Sequence, residues 1–256
     1  AILGTSDLSV GINRVGFVLT SPDGIVSEPK IMLSSRYYAA DDSEGEFRQD
    51  VEAEFQPWPY GVRGLYTTML DFDVAGRWSI DISVDGRNGF IKNALLIFEV
   101  LESYSAPAVG AIAFKSMNKT VADVETLDQL STGSTNDDEL YQTTIADAVS
   151  SGKPTVVVFA SPAFCTNAVC GPQVDVLKRL KDRYRGQAHF IHVDFYDNPE
   201  EIQGNLDRAR ISPIVVEWGL PSIEWSFVID RQGAVAARFE AFATLREMEE
   251  VLLQVL

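Results

Sequence analysis

The sequence lacks three features that would each point to a class of protein. It has two cysteines in 256 residues, too few for a disulfide-rich scaffold. It has no run of about twenty apolar residues, so no part of it is expected to cross a membrane as a helix. Basic residues are scarce, with 21 lysines and arginines against 37 aspartates and glutamates, and the formal net charge is −16. A phosphate backbone would repel such a chain, so nucleic acid is excluded as a partner.

The remaining composition is that of a folded globular protein. Hydrophobic residues make up 46% of the chain and charged residues 23%. The length suits one large domain or two ordinary ones. The chain begins at Ala1, without a methionine or a signal peptide. We therefore expect a processed protein whose leader or membrane anchor is missing from this sequence.

The two cysteines, Cys165 and Cys170, lie between an apolar predicted strand at 155–159 and a predicted helix. A helix N-terminus stabilises a thiolate, so this position suggests thiol–disulfide chemistry. In one regular helix their Cα atoms would be about 8.7 Å apart, beyond the ~7 Å that a disulfide tolerates. Pro172 is acceptable only in a first turn, which predicts a helix beginning near residues 168–170. Cys165 then lies in the preceding loop, and a disulfide is feasible if that loop turns.

Residues 1–104 are predicted to form an all-β domain. Apolar side chains alternate with other residues in short runs, and turn signals such as those at 21–24 and 75–76 separate the runs. About seven strands are expected, as in an immunoglobulin-like β-sandwich. The segment 61–84 resembles the periplasmic immunoglobulin-like modules of bacteria. We expect this domain to act as a docking or spacing module.

Residues 105–138 have the composition of a linker. They are rich in serine, threonine, glycine, asparagine and aspartate, and their apolar periodicity fades. Thirty-odd residues is long for a connection within one compact domain, so a domain boundary is predicted here.

Residues 139–256 alternate between helical and strand patterns, in the order β-α-β-α-β-β-α after a short first helix. This order predicts an α/β domain with a mixed central sheet and helices on both faces. The two last strands are joined by a hairpin connection, and a capping box opens the last helix. The predicted elements are helices at 144–150, from about 168 to Tyr184, at 199–210 and at 245–256, and strands at 155–159, 189–195, 225–229 and 235–239.

This order, with a cysteine pair after the first strand, resembles the thioredoxin-like superfamily. The spacings from Cys170 to Tyr184, and on to the strand that ends near Asp194, fit the active-site helix and the next strand of that family. The segment from Trp218 to Pro221, just before an apolar strand, fits the place of the family's cis-proline. The family's usual pair is C-x-x-C, whereas this chain has C-x4-C, with two extra residues in the loop.

The resemblance implies an extracytoplasmic bacterial thiol–disulfide oxidoreductase, acting on protein thiols or disulfides. Cys165 would attack and Cys170 would resolve the mixed disulfide. Pro221 would shape a substrate groove lined by Phe164, Leu220 and Trp218. No organic cofactor and no metal is implied, because the thiols perform the chemistry themselves.

Two features qualify this interpretation. The sequence Cys170-Gly-Pro-Gln173 echoes a C-G-P-C motif without its last cysteine, and aligned that way Cys170 would be the nucleophile. Thioredoxins also place a buried acid beneath the pair, but the predicted strand at 155–159 contains none, so that role is unassigned. The alternative is a structural disulfide in a non-catalytic thioredoxin-like protein used for binding or architecture.

Two other functions fit less well. One peroxiredoxin subgroup also uses C-x4-C, but the residues before Cys165 lack the proline and hydroxyl at the positions that its nucleophile pattern requires. Thioredoxin-like copper chaperones pair two cysteines with a histidine. His189 and His192 are the only candidates, and three residues apart on a strand they point to opposite faces, so at most one could face a site.

Overall fold

The computed structural model describes residues 1–22, 24–59, 63–85, 91–134, 137–165 and 170–256. Within these ranges, no helix is both long and apolar enough to span a bilayer. The chain divides into two compact units, Ala1–Tyr104 and Ser105–Leu256.

The first unit is built from β-strands, and the strands expected from the alternating patterns are present. The described strands are β1 (Ile2–Leu3), β2 (Gly11–Val18), β3 (Thr20–Ser21), β4 (Gly24–Ile25), β5 (Lys30–Tyr38), β6 (Glu46–Pro57), β7 (Gly64–Phe72), β8 (Gly76–Asp85) and β9 (Ile91–Val100). Within the described residues, seven of them form one antiparallel sheet in the order β1-β2-β7-β6-β5-β8-β9, and β3 pairs with β4.

The long strand β6 joins the two halves of this sheet. Its residues from Glu46 to Glu54 pair with β5, whereas the last part, Glu54 to Pro57, pairs with β7. The sequence predicted a sandwich, while the structure connects the strands into one continuous sheet because β6 pairs on both sides. The immunoglobulin-like assignment stays a prediction.

Aromatic side chains fill the core of the first unit. Trp78 is fully buried, and its ring meets that of Phe72 edge-on at 4.9 Å between centroids. The indole Nε1 donates a hydrogen bond to the carbonyl of Val74 at 2.9 Å, so its polar atom is satisfied inside the core. Phe17 and Tyr66 stack beside them at 5.6 Å. The strands of the first unit therefore share one hydrophobic core.

The second unit contains a four-stranded mixed sheet. Its described elements are α1 (Ile145–Ser150), β10 (Thr155–Phe159), α2 (Cys170–Arg183), β11 (His189–Val193), α3 (Pro199–Ile202), α4 (Pro213–Glu217), β12 (Trp225–Ile229), β13 (Val235–Glu240) and α5 (Leu245–Val255), with 3-10 turns at Leu127–Gln129, Asp138–Tyr141 and Leu206–Arg208. The strand order is β11-β10-β12-β13, with β10 and β11 parallel and the other pairs antiparallel.

The predicted linker at 105–138 belongs to the second unit. Backbone hydrogen bonds hold it, from the Gly110 N–H to the Val235 carbonyl at 2.8 Å and from the Ala113 N–H to the Gly233 carbonyl at 2.9 Å. Ala113 is buried in the core of this unit. The linker prediction was wrong because these residues are fixed by backbone hydrogen bonds, which leave no periodicity in the sequence.

The helix predicted at 199–210 ends early. α3 stops at Ile202, because Gln203 and Gly204 both adopt positive φ, 45° and 81°. α4 was not predicted, although Ser212 caps it by accepting a hydrogen bond from the Ile214 N–H at 3.3 Å.

Candidate functional site

Cys165 and Cys170 form a disulfide, and their Cα atoms are 5.8 Å apart. α2 begins at Cys170, and Cys165 lies before it, as the helix arithmetic and Pro172 predicted. Cys170 is fully buried, whereas Cys165 is half-buried. The backbone N–H of Cys170 points at the sulfur of Cys165, at 3.3 Å. Of the two cysteines, Cys165 is therefore the more exposed to solvent.

Thr132, in the segment that was predicted to be a linker, holds the loop that leads to Cys165. The Ala163 N–H donates to the hydroxyl of Thr132 at 3.2 Å, and that hydroxyl lies 3.0 Å from the Ser161 hydroxyl. Thr132 also donates to Asp194, through its N–H at 2.7 Å and its hydroxyl at 2.9 Å. The residues before the cysteine are thus tied to the end of β11.

Asp194 is a buried carboxyl at the centre of these bonds. Its burial raises its pKa from the ordinary 3.8 to about 6, and hydrogen bonds from Thr132 and Tyr196 only partly oppose the rise. The pKa of about 6 means that this carboxyl changes charge a little below neutral pH. It follows β11, the strand that pairs directly with β10 and so lies next to the start of the cysteine loop.

The histidines are not placed to bind a metal beside the cysteines. Nδ1 of His192 lies 2.7 Å from the hydroxyl of Tyr141, and Nε2 lies 3.0 Å from the carbonyl of Ala160, so both ring nitrogens are engaged. Burial lowers the pKa of His192 to about 4. His189 is hydrogen-bonded to Ser151 at 3.0 Å. A copper site built on a histidine finds no support in this arrangement.

A glutamate that the sequence analysis did not select faces the disulfide. Glu224 precedes β12, and the pairing of Phe159 with Trp225 brings it to the end of β10, where the cysteine loop starts. One carboxylate oxygen of Glu224 and both sulfurs lie within 4.8 Å of one another, and Glu224 is only 2% exposed. The available sequence signal was a charged residue placed directly before a strand that is apolar except for Ser226.

The predicted substrate groove is not built as expected. Pro221 is exposed, and the described residues contain no cis peptide bond, so the bond before Pro221 is trans. Phe164 is half-buried and its ring contacts that of Tyr196, with 6.3 Å between centroids. Leu220 is buried in the core and is not available to line a groove.

Trp218 is a core residue as well. Its indole is fully buried and packs against Phe159 and Phe227, at 5.1 and 4.8 Å between ring centroids. Its Nε1 donates to the hydroxyl of Ser116 at 2.9 Å. The placement of Trp218 and Leu220 in a groove was wrong, because the chain after α4 turns inward and packs both side chains on the sheet.

A cleft of about 260 Å³ does lie beside the cysteine loop, on the side of α2. It is open at Gly171, where an added Cβ would meet no atom of the described residues within 4 Å. Lys178 and Asp175 supply its charged groups, 3.7 Å apart. The other lining residues include Thr132, Pro162, Ala163, Gly171 and Val174.

The comparisons with known proteins find a similar structure but no similar sequence. No protein-family model matches the chain, and no curated protein matches it in sequence. Among solved structures, the chain is similar to a thiol:disulfide interchange protein of the thioredoxin family from Chlorobium tepidum TLS. The identity is 13% and the TM-score 0.35, and the match covers 44% of this chain and 85% of the other.

Proposed function

We propose that the protein is an extracytoplasmic thiol–disulfide oxidoreductase that uses Cys165 and Cys170 as a dithiol–disulfide couple. The observation that carries this proposal is the unequal exposure of the two cysteines at the start of α2. Cys165 is accessible to a partner protein, while Cys170 is within bonding distance of Cys165 but hidden from other proteins. Such an arrangement makes Cys165 the sulfur that attacks the partner disulfide and Cys170 the sulfur that attacks the resulting mixed disulfide.

The exchange proceeds in two displacements. The Cys165 thiolate attacks a partner disulfide, forming a mixed disulfide and releasing one partner thiolate. The Cys170 thiolate then attacks the Cys165 sulfur and releases the second partner thiolate, so that two electrons pass to the partner. Residues 155–176 contain no lysine, arginine or histidine. The helix N-terminus and the Cys170 N–H, 3.3 Å from the Cys165 sulfur, therefore supply the local stabilisation of the attacking thiolate.

The fold of the second unit supports a thioredoxin-like assignment. A strand leads into the cysteine loop, α2 follows it, and a parallel strand and an antiparallel pair complete the sheet. The longer cysteine loop and the trans bond before Pro221 depart from the family pattern. We take the cleft at Gly171, in place of the groove expected at Pro221, as the surface on which a protein thiol or disulfide is held.

The first unit would then be an immunoglobulin-like module that positions the second unit near a membrane or a partner. Its all-β architecture and continuous sheet support a rigid spacer. A location outside the cytoplasm follows from the same proposal, since a stable disulfide between close cysteines persists in oxidising compartments.

Insulin reduction tests the proposed activity. The wild-type protein, kept reduced by a small thiol, should accelerate insulin reduction, and Cys165→Ser should abolish the acceleration. Cys170→Ser should instead accumulate a mixed disulfide with its partner, because the attacking sulfur remains and the resolving one is gone. Equal loss in both variants without any trapped mixed disulfide would reject the assigned order of attack. No acceleration by the wild-type protein would reject the activity itself.

A structural disulfide is the second candidate, and the buried positions of Trp218 and Leu220 favour it. Without these residues the predicted docking groove beside Pro221 does not exist. Titration of the Cys165–Cys170 couple against glutathione separates the two functions. A couple that opens within the range of the glutathione buffer supports exchange, whereas one that stays closed at strongly reducing potentials supports a structural role.

A further inference from the structure

We propose that the reduced pair Cys165 and Cys170, together with Glu224, forms a binding site for a thiophilic divalent cation, Zn²⁺, which exists only while the disulfide is open. The inference requires that the disulfide can be reduced, but it does not require the protein to transfer electrons to a partner. It therefore goes beyond the proposed oxidoreductase function.

The geometry of the three donor atoms fits such a site. Both sulfurs and a Glu224 oxygen lie within 4.8 Å of one another. In a tetrahedral zinc centre, Zn–S bonds of about 2.3 Å and a Zn–O bond of about 2.0 Å place the donor atoms roughly 3.5–3.8 Å apart. When the S–S bond breaks, the sulfurs move apart to about this separation. Reduction thus moves the donor atoms toward the spacing that a metal requires.

The burial of the carboxylate is the second observation that points to a cation. Glu224 is 2% exposed and Cys170 is fully buried. Reduction would place two thiols beside this buried carboxylate, and thiolates form there only if a positive charge balances them. A divalent cation does so, leaving the centre with two thiolates, one carboxylate and a net charge of −1.

The chemical balance has two steps. A phosphine or dithiol reductant supplies two electrons, and two protons from solvent complete the conversion of the disulfide to two thiols. Zn²⁺ then displaces both thiol protons, which return to solvent, and forms two Zn–S bonds and one Zn–O bond. Oxidation to the disulfide removes the two sulfur ligands and releases the ion.

The donor set selects among metals. Two thiolates and one carboxylate suit Zn²⁺, whereas Mg²⁺ and Ca²⁺ favour oxygen ligands alone. Both nitrogens of His192 are engaged, as described above, so an imidazole does not complete the set. Three protein ligands leave a fourth position, and the half-buried Cys165 places that position toward solvent, where water or a thiol of a partner binds.

Zinc binding would couple the redox state to metal availability. Because Zn²⁺ binds the reduced form alone, it shifts the equilibrium toward that form. Binding that stabilises the reduced form a hundredfold raises the midpoint potential of the couple by about 59 mV.

The test uses the full chain, reduced with a phosphine and kept free of oxygen after the reductant is removed. Zn²⁺ is titrated in competition with a chelating dye, and Co²⁺ serves as a spectroscopic probe for thiolate ligands. We expect one Zn²⁺ per reduced chain and none for the disulfide form. Because outer-shell partners alone are worth about 10- to 100-fold in affinity, loss of a direct ligand in Glu224→Gln should weaken binding by roughly a hundredfold. Glu200→Gln, which removes an exposed carboxylate, should bind as the wild type does.

Zinc X-ray absorption on the wild-type protein keeps the proposal testable if Glu224→Gln fails to fold. Two sulfur and two oxygen ligands are expected, and four sulfurs or none would overturn the site. Equal affinity of Glu224→Gln and wild type, or Zn²⁺ binding by the disulfide form, would overturn it too. Insulin reduction by metal-free protein tests the oxidoreductase function separately. Zinc binding without insulin reduction would reject that function and leave the metal site standing.

Discussion

The hydroxyl of Tyr141 lies 2.7 Å from Nδ1 of His192, and this contact assigns the histidine's tautomer. The Ala160 carbonyl at Nε2 can only accept, so Nε2 carries the proton and Nδ1 accepts from Tyr141. The ring is therefore neutral in the folded protein. It lies on β11 two residues before Asp194, a buried carboxyl whose pKa is shifted in the opposite direction.

Replacing His192 with glutamine should reduce the loss of stability in acid. The folded protein keeps the imidazole neutral down to its pKa of about 4, whereas the unfolded chain protonates near 6.5. Stability is thus lost as pH falls from 6.5 toward 4, by about 3 kcal/mol. Urea unfolding at several pH values should show His192→Gln gaining up to about 3 kcal/mol of stability relative to wild type as pH falls from 6.5 to 4, compared with their difference at pH 7. A variant that retains the full acid sensitivity of the wild type would contradict the assignment.

Asp194→Asn should have the opposite effect on the pH dependence. The pKa of Asp194 is raised to about 6, so the folded protein holds its proton between pH 3.8 and 6 while the unfolded chain releases it. Its contribution to stability is therefore lost as pH rises through 6, by about 3 kcal/mol. In wild type this loss offsets the gain from His192 over much of the same range. The difference in stability between Asp194→Asn and wild type should therefore shift in favour of the variant as pH rises from 4 to 7.

The two cysteines should differ in reactivity after reduction. Cys170 is fully buried and Cys165 half-buried, so iodoacetamide should modify Cys165 at least about tenfold faster. Mass spectrometry of peptides after timed alkylation measures the two rates in one sample. Comparable rates for the two thiols would mean that the burial of Cys170 does not persist in the reduced protein.

Filling the cleft at Gly171 should affect large substrates only. Among the residues that the structure describes, none has an atom within 4 Å of a Cβ added here, so Gly171→Leu should fold normally. The side chain would then occupy the cleft and lower insulin reduction several-fold, while reaction with glutathione stays unchanged. Gly171→Ala is the matched control, expected to gain up to about 1 kcal/mol of stability from helix propensity and to keep its activity. An unchanged rate with insulin for Gly171→Leu would separate the cleft from substrate binding.

Lys181→Met should destabilise the second unit by about 2 kcal/mol. The lysine side chain is 9% exposed and its ammonium lies 2.5 Å from Asp137 and 2.6 Å from Glu139. Its loss removes the cation between Asp137 and Glu139, although Arg185 still pairs with Glu139. The exposed pair of Arg246 and Glu250, 3.9 Å apart, provides the control, and Arg246→Met should change stability by less than about 0.5 kcal/mol. Thermal unfolding monitored in parallel for both variants compares the effects.

Local signals predicted the parts of the second unit that local forces determine. The strand at 155–159 is apolar after its first residue, Thr155, and follows Pro154, and its predicted limits are those observed. The last helix begins where Thr244 and Glu247 form a capping box, as expected. The end of α3 was missed because Gln203, which gives no sequence signal for positive φ, leaves the helical region before Gly204 does.

The site was predictable only in part, for a different reason. The loop position of Cys165 and the helical position of Cys170 follow from chain geometry and from Pro172, all close in sequence. The approach of Glu224 depends on the pairing of Phe159 with Trp225, which are far apart along the chain. The inward turn of Trp218 depends likewise on contacts with distant rings. Such long-range pairings have no local pattern from which to infer them.

The short span of the Cys165–Cys170 bridge has a consequence in polymer terms. A cross-link stabilises a fold chiefly by reducing the number of conformations open to the unfolded chain, and that reduction grows with the length of chain enclosed. By this effect, closing a ring of six residues stabilises the fold by only about 2 kcal/mol, against about 4.7 kcal/mol for a ring of a hundred residues. Most of the second unit therefore loses little when the bridge opens. A bond so placed can be made and broken repeatedly while the surrounding fold remains intact.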